Sequence, residues 1–482
     1  MGNAGRSAAS ALAQHDSSPV IACDDRIGDE VRLASRNLAE RGVEFTDDPM
    51  GALDRVCAVV KSPGFKLSHE VIEAARARGL PVLDEFELGW RLSWQPVVAI
   101  TGTDGKSTTC ALVTAALDAA GGNPLLSGNV EGFRGAPAMS AVPPEHDGWV
   151  VAEVSSYQAA GCPEFLPAAA LLTNLTSAHL GWHGSQEAYA EAKRRLFVRG
   201  DRSVSLGVVS ADDDYGRRLA REVRDRGGRA LTFGFAGDAD YRIRSCNSSL
   251  RGGEVEIESP DEDIQIETRL PGAHNAANVA AALALSDGLG LSRERTLEAL
   301  GDTPGVPGRF DPVDEGQPFD VVVDFAHTPA AVDQTLQLAR ELVSRRGGRA
   351  IVVMGKVGPG TRPYQEAIGW ACAEGADHLI ICGSSLRGEP QLTEIPGVLA
   401  GAREAEGDEI EVVLDRRKAI SRAVCLAEPG DLVAILGRGG RRRMMYDTKG
   451  PTGVFDDREV ARELLAELVA AGAPKAPVPG LR

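Results

Sequence analysis

Lysine is scarce in this 482-residue chain: of 52 Lys plus Arg residues only 8 are Lys, and His also numbers 8. A lysine inside a sharp motif therefore carries more information here than usual. The 52 cations face 69 Asp plus Glu, a net charge of −17, so no basic surplus exists for a polyanion and nucleic acid is not an expected partner. Any anionic ligand must be held by local groups or by metal ions. The cysteines (Cys23, Cys57, Cys110, Cys162, Cys246, Cys372, Cys382, Cys425) are scattered, with no Cys-x-x-Cys pair and no Cys/His cluster, which argues against a zinc or dithiol site. No stretch approaches the roughly 18 uninterrupted apolar residues of a membrane span, and no apolar run follows a basic start. The expected address is cytoplasmic, with no membrane partner.

What is present is an alternation of short β-rich apolar runs with Ala/Leu/Arg-rich amphipathic runs. One set of apolar runs lies at 19–25, 57–63, 96–101, 149–154 and 169–175, and another at 321–325, 349–355, 378–383, 410–415 and 431–437. This pattern predicts α/β architecture with stacked βα units and parallel sheets, and so many strands suit several domains better than one sheet. Breaks at 92–96 and in the Gly/Pro-dense 301–312 divide the chain into units 1–94, 95–303 and 304–482. Residues 238–268 are polar and alternating and read as a small antiparallel excursion. At the start, residues 1–7 look like a glycine turn opening a helix without the strand that should precede it. Either a first strand lies upstream of Met1 or the turn is a disordered terminus.

The sharpest motif is VVAITGTDGKSTT (97–109), an apolar strand running into Gly102, Thr103, Asp104, Gly105, Lys106, Ser107, Thr108 and Thr109 and then into a helical run. Backbone amides of such a loop and the following helix N-terminus point at phosphate, Lys106 neutralises β/γ oxygens, and Ser107 can ligate Mg²⁺. The strict Walker pattern fails, because Ile100 stands where its first Gly would be. Glu153 ends another buried strand, where a carboxylate must be paired or metal-bound. His179 follows a third strand end. Lys193 lies fourteen residues later on a helical stretch, and Asn275 begins an Ala-rich helical stretch after Pro271-Gly272.

The string GTDGKST, with SGNVEG (127–132), AEVSSYQ (152–158), LTNLTSAHLGWHG (172–184), AYAEAKRRLF (188–197), LPGAHNAANVAAALAL (270–285), GRF (308–310), DFAHTP (324–329) and FDDREVA (455–461), resembles the Mur ligases and folylpolyglutamate synthetases over nearly the whole chain and in family order. The resemblance implies three α/β domains, in order Rossmann-like and UDP-binding, P-loop-like and ATP-binding, and Rossmann-like again. It implies an ATP-dependent amide ligase using ATP and two Mg²⁺ ions, with Ser107, Glu153 and His179 as metal ligands and Lys106, Glu153, His179 and Lys193 as the catalytic set. Lys193 matches the lysine that the family carbamylates. Asn275, Arg309, Asp324 and His327 match positions that hold ATP, while Asn129, Ser155 and Gln158 match the nucleotide-substrate region. The family's Asp-His-Leu-Asp here reads Ala178-His179-Leu180-Gly181, so two acids near the second metal are missing. FDDREVA is read blandly, Asp456 with Glu459 forming a capping box.

Within the family, residues 59–90 resemble the glutamate-adding member, whereas DFAHTP and the GRGG string resemble members that add diaminopimelate or lysine. A diamino acceptor needs an acidic group for its distal ammonium. Where those enzymes carry Asp-Asn-Pro-Arg and Gly-Lys-Gly-His-Glu, this chain has Ser384-Ser385-Leu386-Arg387 and Gly437-Arg438-Gly439-Gly440-Arg441. With Lys356 and Arg362 on a third loop, cations replace acids, and Arg forks suit a dicarboxylic amino acid. The expected reaction is therefore addition of D-glutamate to UDP-N-acetylmuramoyl-L-alanine through an acyl phosphate, in peptidoglycan precursor synthesis, by a monomer. Open alternatives are a relative adding L-glutamate or a diamino acid, and a non-catalytic ATP-binding relative.

Overall fold

A computed structural model describes residues 2–15, 19–24, 36–130, 136–355, 362–383, 395–407, 409–445 and 452–472. The expectations attached to Lys356 and Arg387 lie outside the described residues. Two compact units result, one of Met1–Val130, Arg134–Arg242 and Val279–Leu300, the other mainly of Ile243–Asn278 and Gly301–Arg482. Among the described residues, no helix is long and apolar enough to cross a membrane.

In the first unit a helix at Asn3–His15 precedes two small parallel pairs, β1 (Val20–Ala22) with β2 (Val43–Phe45) and β3 (Val59–Lys61) with β4 (Val82–Asp84). The sheet that carries the phosphate loop is built from β5 (Val97–Thr101), β6 (Leu125–Gly128), β7 (Val150–Glu153) and β8 (Ala169–Leu172). After a two-residue hairpin, β9 (Val198–Arg199) with β10 (Arg202–Ser203), it is extended by β11 (Leu206–Ser210) and β12 (Arg229–Gly234). These six run parallel in the order β12-β11-β8-β5-β7-β6. Every residue of β5, β7, β8 and β11 is buried, as continuous Val/Ala/Leu/Ile runs covered on both faces require.

The helix Glu85–Leu92 fastens the N-terminal segment to this sheet through charges rather than apolar contact alone. Lys61 Nζ donates to Asp84 Oδ2 at 2.7 Å with both side chains buried, and the Asp84 amide donates to the Gly161 carbonyl at 2.9 Å. Glu85 Oε1 accepts the Ser140 amide at 2.7 Å, and Glu87 Oε2 accepts the Phe165 amide at 2.9 Å. Burial pushes Glu85 up to about 7 and Asp84 up to about 6, the latter against the pull of Lys61.

The second unit begins with the polar excursion, β13 (Tyr241–Ser249), β14 (Gly252–Glu258) and β15 (Asp263–Thr268), of which β14 and β15 are antiparallel with alternating burial. Its main sheet comprises β16 (Asp311–Pro312), β17 (Asp320–Asp324), β18 (Ala350–Met354), β19 (His378–Ile381), β20 (Ile410–Val412) and β21 (Leu432–Leu436), in the order β16-β17-β21-β18-β19-β20. All its pairings are parallel except β16 with β17. Two apolar clusters make up its core: Val322, Leu336 and Val352 belong to one, Val323, Ile420 and Ile435 to the other. The α/β class expected from the alternation of runs is the class observed.

A folded-state pKa near 7 for Glu85 means that its contribution to stability is complete below the ordinary carboxylate range and is lost as pH rises through about 7. Glu85→Gln keeps an acceptor for the Ser140 amide without the buried charge. Urea unfolding at pH 8 should show the variant more stable by about 1–3 kcal/mol, with most of the gain gone at pH 5 and all of it below about pH 4; equal stability changes at pH 8 and pH 4 would show that burial of the charge is not the cause.

Candidate active site

The phosphate loop leaves β5 at Thr101, and the parallel register sets what flanks it: Ile100 lies opposite Glu153 of β7, and Thr101 opposite Leu172 of β8. Gly102 has φ +149°, and a Cβ there would fall 1.8 Å from Thr173 Oγ1, so only glycine fits. Gly105, left-handed at φ +83°, caps the helix Lys106–Ala119. Ser107 Oγ donates to Glu153 Oε2 at 2.6 Å, with both residues buried. A hydroxyl and a carboxylate side by side at a helix N-terminus are hard oxygen donors of the kind a Mg²⁺ ion takes, with water completing its shell. Lys106 Nζ donates to the Gly102 and Thr103 carbonyls at 3.1 and 2.7 Å. Thr108 and Thr109 are buried in the first helical turn, with Thr109 Oγ1 bonded to the Gly105 carbonyl.

Sequence reading missed the residues that hold this loop in shape. Asn174 Oδ1 accepts the amides of Thr103 and Asp104 at 3.2 and 3.0 Å, and its Nδ2 donates to the Asp104 carbonyl at 3.1 Å. Thr173 Oγ1 donates to the same carbonyl at 2.6 Å. Both lie just past the end of β8, in a segment whose motif was visible but whose partner loop, some seventy residues earlier, was not.

Lys193 is buried beneath the loop. Its Nζ donates to the Gly102 carbonyl at 2.6 Å and lies 4.7 Å from the centre of the Tyr189 ring, while Tyr189 Oη bonds Thr103 Oγ1 at 3.1 Å. Burial first, then the nearby Lys106 charge, holds the Lys193 amine well below the usual lysine range. His179 is exposed, left-handed at φ +57°, and bonded through Nδ1 to Tyr157 Oη at 2.8 Å. It belongs to an aromatic group with Tyr157, Trp182, His183 and Tyr189, in which His183 Nε2 bonds Ser156 Oγ at 2.9 Å. Burial and the Lys193 charge lower His183 to about 4, so it is neutral at physiological pH. Among the described residues, no group of three His, Cys, Asp or Glu is placed to hold a metal ion.

Ser155 and Gln158 form a reciprocal capping box on the helix Ser156–Ala160, which accounts for both residues structurally. Asn129 is exposed, and its amide donates to the Glu153 carbonyl at 3.0 Å.

In the second unit, Asn275 Nδ2 donates to the Pro271 carbonyl at 2.7 Å and its Oδ1 accepts from Asn278. Asp324 ends β17, buried, accepting the amides of Phe310 and Ala326, each at 2.6 Å; burial raises it against the pull of Arg309. His327 Nδ1 bonds the Phe325 carbonyl at 2.9 Å. The guanidiniums of Arg309 and Arg441 stand 4.4 and 4.7 Å from the Phe325 ring centre. Gly308 and Gly439, both at positive φ, let the two arginine-bearing loops touch backbone to backbone, since a Cβ on Gly308 would lie 2.0 Å from the Gly440 amide.

The chain that carries this site is similar to known proteins. The middle-domain model of the Mur ligases matches residues 100–286, and the Mur ligase glutamate ligase domain model matches 308–439. A UDP-N-acetylmuramoyl-L-alanyl-D-glutamate–2,6-diaminopimelate ligase of Solibacter usitatus is 36% identical over 388 residues, covering 77% of each chain. The chain belongs to the Mur ligase family. A Streptomyces coelicolor enzyme of the same description is 34% identical over 450 residues, 87% of this chain and 84% of that one. The ADP complex of the MurF ligase from Thermotoga maritima, 17% identical, superposes with TM-score 0.62 over 95% of this chain and 97% of the other, a likeness of fold. As a Mur ligase, this chain is an ATP-dependent, ADP-forming amide ligase of peptidoglycan precursor synthesis.

These Mur ligase relatives do not support the glutamate-adding type expected from the sequence, and several cations near the loops in question are engaged inside the structure. Arg438 has no exposure: its Nη2 donates to the Arg441 and Phe455 carbonyls, and its Nε faces Asp457 at 3.9 Å. Arg362 pairs with Glu366 and Arg442 with Glu459. Arg438 and Arg362 of the expected set are thus engaged by neighbouring groups. The pairing of Glu459 with Arg442 also replaces the expected capping box; Asp456 caps its helix through the Arg458 amide at 3.1 Å.

Because Asn174 makes three of the loop's bonds and none of the core, Asn174→Ala should lower kcat/KM for ATP by about 10- to 100-fold while the unfolding midpoint stays near that of the parent. Unchanged ATP kinetics would show that the loop keeps its shape without it.

Proposed function

We propose that this Mur ligase lengthens a UDP-N-acetylmuramoyl-L-alanyl-D-glutamate substrate by one diamino acid of the diaminopimelate type, in the cytoplasm where such nucleotides are made. The observation that carries the reading is the likeness to diaminopimelate-adding relatives over more than three quarters of both chains. In functional terms, residues 1–94 serve the UDP-substrate, 95–303 ATP, and 304–482 the amino acid.

In this reading the terminal carboxylate of the nucleotide substrate attacks the γ-phosphorus of ATP, ADP leaves, and an acyl phosphate forms. The amine of the incoming amino acid then attacks the acyl carbon and loses a proton, and inorganic phosphate departs. Gly102 to Thr109 present backbone amides and hydroxyls to the phosphates, and Lys106 turns from the loop carbonyls to the β/γ oxygens. Asn275 has already used one donor and one acceptor, and its amide keeps a second of each for an adenine edge. By the family resemblance Arg309, Asp324 and His327 would contact the nucleotide, and Asn129 the sugar-peptide. Ser107 and Glu153 would hold Mg²⁺, with His179 a further ligand; the ion supplies charge neutralisation on the phosphate oxygens. Burial favours loss of the Lys193 proton, the step that lets an amine add CO₂, and the carbamate would return negative charge to a site that lacks acids at Ala178 and Gly181.

A second reading follows from one observation. Residues 384–387 and 437–441 lack the acids that a distal ammonium requires, which favours a dicarboxylic acceptor with Arg441 facing it.

Phosphate release should be measured with the L-alanyl-D-glutamate nucleotide and meso-diaminopimelate, L-lysine, D-glutamate or L-glutamate, and with the L-alanine nucleotide and D-glutamate. Turnover with a diamino acid on the dipeptide nucleotide supports the main reading; turnover with an acidic amino acid alone replaces it with the second. In the productive pair, Lys106→Ala should lose about 100-fold or more in kcat at unchanged stability, and wild-type turnover by that variant would remove the phosphate-loop assignment.

A further inference from the structure

The three central strands of the second unit's sheet, β19, β18 and β21, end at Ile381, Met354 and Leu436, and one buried side chain reaches the residues at or just beyond all three ends. Arg416, the first residue of the helix Arg416–Leu426, donates from Nη2 to the Leu436 carbonyl at 3.0 Å and from Nη1 to Cys382 Sγ at 3.3 Å. A Cβ on Gly355 would lie 2.2 Å from Arg416 Nη1, so the chain beyond β18 packs directly against the guanidinium. The remaining fork is bidentate: Nε and Nη2 donate to Asp457 Oδ1 and Oδ2, each at 2.7 Å, and neither side chain has any exposure. Asp457 also faces Arg438 at 3.9 Å, and Arg438 donates to the Arg441 carbonyl at 3.2 Å.

Buried ion pairs of this kind are seldom better for stability than apolar groups of the same volume. What a planar guanidinium does better is fix directions, because its donors lie in one rigid fork. The ends of parallel strands on their carboxyl side are where open α/β sheets hold ligands. We infer that Arg416 and Asp457 are positioning residues for the amino-acid-holding side of this ligase. They set the points at which the chain leaves three adjacent strands and, through Arg438, the placement of Arg441 beside Phe325 and Arg309. Neither residue touches the reacting groups. The inference rests on the ligase reading above and holds for either acceptor.

The test uses the full-length enzyme with the amino acid that supports turnover, and three variants: Arg416→Lys, Gly355→Ala, and the double variant Arg416→Met with Asp457→Leu. Each should raise KM for the amino acid about tenfold or more and leave KM for ATP and for the UDP-substrate within about twofold, the pattern of a lost positioning effect on one substrate. The double variant should unfold at a urea midpoint no lower than Arg416→Lys and still show the raised amino-acid KM, separating position from stability. Wild-type amino-acid KM in Gly355→Ala and Arg416→Lys, or in a folded double variant, would overturn the inference alone. A wild-type enzyme without amino-acid-dependent phosphate release would overturn the ligase reading, and this inference with it.

Discussion

The parallel register of β5 between β7 and β8 is the constraint on which the phosphate site depends. It brings Glu153 level with Ile100 on one side and the Thr173-Asn174 turn level with the loop on the other. A one-residue slip of either neighbour would turn Glu153 away from Ser107, or Asn174 away from the amides of Thr103 and Asp104, because side chains alternate along a strand. The continuous apolar runs that bury these strands on both faces are thus also what aims the polar groups at their ends.

Charges buried in both units act as fasteners. Glu85 and Glu87 attach the N-terminal segment to backbone amides of Ser140 and Phe165, Lys61 and Asp84 pair beside them, and Lys193 is tied to the Gly102 carbonyl. In the second unit Arg416 and Asp457 tie strand ends together. Each such group loses its water, a loss that raises the Asp84 and Glu85 carboxyls and depresses the Lys193 amine; the return is geometric, since a charge removed from water tolerates few arrangements.

The arginines of the second unit show what charge counting along a sequence leaves out. Five arginines between 438 and 458 look like a basic wall, yet Arg438 is enclosed, Arg442 is bound to Glu459, and Arg458 to Asp456. Arg441 is stacked with Arg309 around Phe325. A formal charge says nothing of which cations an interior acid has already engaged.

The sequence by itself determined the α/β class, the parallel core strands, the antiparallel excursion near 238–268 and the strand, glycine loop and helix of residues 97–119, because each is a local matter of periodicity, turn chemistry or a short motif. Lys106, Ser107 and Glu153 were legible for the same reason: they sit at strand ends or helix starts that apolar runs delimit. The Ser155-x-x-Gln158 spacing carried a capping signature, and the structure forms that capping box. Only the tertiary structure decided that Asn174 shapes the loop, that Lys193 lies beneath it, that Phe325 carries two guanidiniums and that Arg416 links three strands. These partners are tens of residues apart in the chain, and their contacts exist only once sheet register and helix packing have brought desolvated groups face to face.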